Sequence, residues 1–138
     1  MRTSTISLAA VLAALCLVGI PSSAQEPKVT PVMSKTLTDI PGKQLLVLTV
    51  EYVPGGADMP HRHNADAFVY VLEGSVVEQV KGGKPDTLTA GQTFYERPED
   101  IHIVGKNASA TQPAKLLAVL VKKTGAPPVV PVKASQTP

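Results

Sequence analysis

From residue 43 to residue 122, apolar side chains come in short bursts, each closed by glycine, proline or a small polar cluster. That spacing predicts strands, placed near Lys43–Val53, Ala67–Leu72, Val76–Val80, Asp86–Leu88, Gln92–Tyr95, Ile101–Val104 and Lys115–Lys122. Glu73-Gly74-Ser75 and Lys81-Gly82-Gly83-Lys84 read as tight turns between neighbouring strands, because glycine reaches the backbone angles such turns need. No window of a dozen residues past the first 24 keeps a helical apolar period, so the expected fold class is all-β. The run Phe68-Val69-Tyr70-Val71-Leu72 is apolar at every position. A strand with one side in water alternates, so both faces of this one are expected to be covered, the second by another sheet or by another copy of the chain.

The two ends read differently. Arg2, the apolar stretch Ile6 to Ile20 and the small residues of Pro21-Ser22-Ser23-Ala24 form an export signal, with cleavage expected before Gln25. The apolar stretch is shorter than the roughly 20 residues that span a bilayer, so no membrane anchor is expected after cleavage. Residues 25–42 read as an arm and first strand, residues 43–123 as the barrel, and residues 124–138 as a proline-rich disordered tail. The expected location is periplasmic or secreted.

Composition narrows the chemistry. The single cysteine, Cys16, falls in the segment expected to be removed, which excludes disulfides, thiolate ligands and cysteine nucleophiles from the mature protein. Thirteen Lys and Arg against eleven Asp and Glu, with no basic run, make nucleic acid an unsuitable partner. There is no phosphate loop, dinucleotide fingerprint or nucleophile-elbow serine.

Two of the three histidines, His61 and His63, stand two apart. In extended backbone such residues project to one side, so both imidazoles can address one point while Arg62 turns away. His102 opens a later predicted strand that folding can bring opposite them. Three imidazoles with open positions suit iron, manganese, nickel, copper or zinc. An HxH pair by itself is weak evidence, and exposed loop residues near a turn, with His102 in an ordinary surface hydrogen bond, are the plainer reading of it.

Gly55, His61-Arg62-His63 and Gly74 resemble the first motif of the cupin family, G(X)5HXH(X)3–4E(X)6G, and Gly91, Pro98, His102 and Asn107 resemble its second, G(X)5–7PXG(X)2H(X)3N. The similarity runs from about Val47 to Asn107. It implies a small double-stranded β-helix of the jelly-roll type, with His61, His63 and His102 as metal ligands. Ala67 stands where the family pattern has its glutamate ligand, and Asp66 is one residue off, on the opposite strand face. The second motif is one residue short between Pro98 and His102, and its asparagine comes one residue late. A three-histidine site of this kind resembles that of some cupin-type oxygenases acting on small organic molecules. A binding or sensing module without turnover, and a metal-free interaction barrel, are the alternatives. Glu96 is read as a surface partner of Arg97 in preference to a fourth ligand or a base. Val69, Val71 and Phe94 are expected to line a pocket for a small, partly apolar ligand, and the protein is expected to form a homodimer.

Overall fold

In a computed structural model, residues 24–132 are described; the segment expected to direct export, up to Ser23 and with Cys16 in it, and residues 133–138 lie outside them. Every regular element among the described residues is a strand: β1 Lys28–Thr36, β2 Lys43–Tyr52, β3 His61–Arg62, β4 Ala65–Glu73, β5 Ser75–Val80, β6 Asp86–Thr89, β7 Thr93–Glu96, β8 His102–Asn107, β9 Ala114–Lys123 and β10 Val130–Pro131. They form two antiparallel five-stranded sheets, ordered β1-β2-β9-β4-β7 and β10-β3-β8-β5-β6.

Alternation along the strands builds the core. On β4, Ala65, Ala67, Val69 and Val71 point inward, and on β9 Ala114, Leu116, Ala118 and Leu120 meet them. Val76 of β5 and Leu88 of β6 close the core from the other sheet. Burying Leu120 completely contributes about 1.5–3 kcal/mol. Gly74, at the β4–β5 turn, has φ +71°, and a Cβ there would lie 2.5 Å from the Pro113 carbonyl oxygen, so the turn requires glycine on both counts.

The seven expected strands all form. Three further strands join them. The short β3, His61–Arg62, carries the first histidine. The first strand expected within residues 25–42 is β1, and it begins inside the expected arm, pairing with β2 from Lys28 to Thr36 with a shift of register between Pro31 and Met33. An exposed edge tolerates the missing proline donor, which is why composition hid where the strand starts. The expected disordered tail is also tied down as far as Val132: β10 pairs with β3, and the Val132 amide donates to the Pro60 carbonyl at 3.3 Å. Bonds to its backbone hold it, from β3, from His63 and from Gln44, and they leave no apolar period to read.

Among the described residues, nothing covers the outer face of β4. Phe68 is 50% exposed, Tyr70 and Leu72 nearly as much, and Tyr95 of β7 lies beside Phe68 at 5.0 Å between ring centroids.

Candidate metal centre

The sheet register assembles the three histidines. His61 of β3 is paired directly with His102 of β8, so their rings meet at 5.0 Å between centroids. His63 follows two residues after His61 on the same side, at 4.8 Å between ring centroids. Asn64 then adopts φ +48° and turns the chain into β4. One donor atom from each ring lies within 4.8 Å of the others.

Backbone carbonyls fix two of the rings. His61 Nδ1 donates to the Met59 carbonyl at 2.8 Å, and His63 Nδ1 donates to the Pro128 carbonyl at 2.6 Å. A carbonyl only accepts, so both protons reside on Nδ1 and both Nε2 atoms carry free lone pairs. Those two Nε2 atoms face each other at 3.3 Å. Two lone pairs at that separation repel unless a cation lies between them. Metal–imidazole bonds of about 2.0–2.1 Å put neighbouring donors at roughly this spacing. The donor set therefore fits a first-row metal.

Two buried carboxylates complete the cluster. Glu78 of β5 is 1% exposed and places Oε2 2.6 Å from His102 Nε2, off the line of an aligned hydrogen bond. Glu96 of β7 is 2% exposed, with Oε1 3.8 Å from His63 Nε2 and Oε2 3.7 Å from His102 Nδ1. The surface pair with Arg97 is thus corrected: Arg97 binds Asp100 at 3.0 Å and approaches Glu99 at 3.6 Å, while Glu96 faces inward. Strand parity decides this, since Glu96 shares the inner face with Phe94 and sits opposite Ala67. Asp66 points outward and accepts from Tyr95 Oη at 2.7 Å.

Burial and mutual charge set the protonation of the metal-free cluster. Burial lowers His61, and it lowers His63 to about 4, against the carbonyl bonds that raise both. Burial also pushes His102 down, but Glu78 and then Glu96 outweigh it and carry the ring up to about 9. Burial raises Glu78, and it raises Glu96 to about 7.

The cluster opens onto a cavity of about 300 Å³ walled by Leu48, Val50, Val69, Leu116 and Ala118. Of the three residues expected to line it, Val69 does so; Val71 is in the core and Phe94 packs against it. Tyr52, which also borders the cavity, donates to Asp58 Oδ2 at 2.5 Å, and burial followed by the Asp58 charge raises its phenol. Asn107, despite its displaced position in the motif, donates to the Val53 and Gln112 carbonyls and accepts from the Ser109 amide, pinning the loop after β8. Glu78, Tyr52 and Asp58 were not singled out in the sequence. Glu78 was within reach, because it shares strand parity with buried Val76.

No curated protein sequence matches the chain. Among solved structures, it is similar to an uncharacterized protein with a double-stranded β-helix domain from Klebsiella pneumoniae (TM-score 0.63, 18% identity, 80% of this chain and 88% of that one). It is also similar to the polyketide cyclase RemF from Streptomyces resistomycificus (TM-score 0.58, 24% identity, 83% and 79%). A third is the DMSP lyase DddQ from Ruegeria pomeroyi (TM-score 0.57, 18% identity, 64% of this chain), of whose length the chain spans only 43%. At these identities the likeness shows the fold. The family model described as "Cupin domain" matches residues 48–120, more than half of the chain, and with the paired sheets and the histidine cluster in place, the chain belongs to the cupin family.

Proposed function

We propose that this cupin is an exported, metal-dependent enzyme that holds a divalent transition metal on His61, His63 and His102 and acts on a small, partly apolar organic molecule, with oxygenase chemistry as the leading reaction class. The observation that carries the reading is the pair of Nε2 lone pairs facing each other at 3.3 Å, each held there by an Nδ1 bond to a carbonyl. A bound metal supplies a Lewis-acidic, and for iron, manganese or copper a redox-active, centre with open positions. The protein's part is positioning and exclusion of water. The Met59 and Pro128 carbonyls orient His61 and His63, Glu78 restrains the ring of His102, and the apolar wall favours an uncharged body in the cavity.

The reading is supported from a second side by solved structures of similar fold that include a lyase and a cyclase of small molecules. A binding module without turnover uses the same metal centre and differs only in activity. Export rests on the segment before Gln25, and fractionation with amino-terminal sequencing tests it.

Elemental analysis of untagged protein tests the metal. The expected result is one first-row metal per chain, lost in His61→Ala, with a melting temperature that falls in chelator. Metal-free protein with the same melting temperature in chelator refutes the centre. Oxygen uptake with small phenols and thiols under iron, copper, nickel and manganese loading then separates the classes; a silent panel refutes the oxygenase assignment.

A further inference from the structure

Ala67 and Glu96 are directly paired across β4 and β7. Residues opposed in this way project from the same sheet face with their Cβ atoms about 4.5–5.5 Å apart. Both are buried on the inner face, and Glu96 borders the cavity together with the histidines. A glutamate side chain is long enough to cross that gap, and the methyl group of Ala67 is the smallest side chain that could stand opposite it. The two oxygens of Glu96 approach different histidines, Oε1 to His63 at 3.8 Å and Oε2 to His102 at 3.7 Å. Glu96 Oε2 has no hydrogen-bond partner among the described residues, nor does the Nδ1 atom of His102 that it approaches. Glu78, by contrast, bears on His102 alone among the three rings, through Nε2.

We infer that Glu96, reaching across from β7, supplies the carboxylate ligand whose family position is held here by Ala67, so that the centre is three histidines and one glutamate. The inference rests on the metal-binding reading above. Donors sharing a metal at about 2.0–2.2 Å stand roughly 3–3.5 Å apart, so Glu96 needs to close by only a few tenths of an ångström. It also explains why residue 67 is small. A glutamate there, beside Glu96, would bury two carboxylates in contact and oppose the ionisation of both.

Cobalt(II) titration of the full chain, followed by its visible absorption, tests the assignment. In Glu96→Gln the cobalt affinity falls at least about tenfold, the range already seen when groups that only support a ligand are removed, and the band shape changes with the donor set. Glu78→Gln weakens binding without changing the band shape. Moving the carboxylate back, in the double variant Ala67→Glu/Glu96→Gln, restores affinity to within about threefold of wild type, since the donor set is the same. Should the glutamine variant not fold, Glu96→Asp, whose carboxylate stops one methylene short, carries the comparison with a loss in the same direction. Wild-type affinity and spectrum in a folded Glu96→Gln or Glu96→Asp overturn the inference and leave the three-histidine centre standing. A wild-type protein that takes up no cobalt overturns the centre itself.

Discussion

Gly105→Ala perturbs the site through one methyl group. Gly105 lies on β8 opposite Glu78, with an ordinary strand conformation, so alanine meets no backbone penalty and gains roughly 0.5–1 kcal/mol from a less flexible unfolded chain. The space for the methyl is taken: it would lie 2.6 Å from Asp58 Oδ2, 2.8 Å from His102 Cε1 and 3.1 Å from His102 Nε2. Neither neighbour yields cheaply. Asp58 is held by Tyr52 at 2.5 Å, and the imidazole is wedged between Glu78 and Glu96. Overpacking of this kind costs about 1–3 kcal/mol, which leaves a net loss of about 0–2.5 kcal/mol, centred on about 1 kcal/mol. For a domain of this size each 1 kcal/mol lowers the melting temperature by roughly 4 °C. Displacing His102 also weakens metal binding. Calorimetric melts in chelator and a cobalt titration measure the two effects separately. An alanine variant as stable as wild type, with unchanged metal affinity, would show that His102 is not confined as described.

The metal-free protein should lose stability from pH 7 to pH 9. His102, raised from 6.5 to about 9, binds its proton more tightly when folded, so its contribution is complete below 6.5 and is lost as pH climbs to 9. Glu96, raised from 4.5 to about 7, finishes losing its contribution at the start of that window, and His63, lowered from 6.5 to about 4, changes only below it. The slope is at most about 1.4 kcal/mol per pH unit; a melting temperature in chelator that rises over this range refutes the assignment. Truncation after Gly125 removes the Pro128 carbonyl and β10 and should weaken metal binding about 10–100-fold, by titration, while leaving the strand signal in circular dichroism. Sedimentation at micromolar concentration should give a dimer that Phe68→Lys/Tyr95→Lys converts to monomer; a wild-type monomer refutes pairing through the outer face of β4.

The strands were legible because each carries its own period. Val69 and Val71 against Phe68 and Tyr70 sort into inside and outside by alternation alone. The histidine cluster was legible because an HxH pair in extended backbone has one geometry, and one other imidazole remained to join it. What escaped was set by pairing across the sheets. Glu96 is charged, stands beside Arg97 and precedes a turn, all local marks of a surface residue, and only its register with Ala67 turns it inward. Glu78 is placed the same way against Gly105. The start of β1 and the whole of β10 escaped because an edge strand interrupted by proline is specified by the backbone of its neighbour, not by its own side chains.

Glu26, Pro27 and Val29 from one end of the described chain, and Val129 and Pro131 from the other, border the cavity that leads to the histidines. The rim is therefore written in the two stretches of sequence least constrained by the core, while the ligands are written in the middle. Entry to the cavity and the histidine cluster beneath it can therefore drift independently under selection: exchanging the flanking segments between relatives should redirect which molecules the cavity admits without rebuilding the cluster.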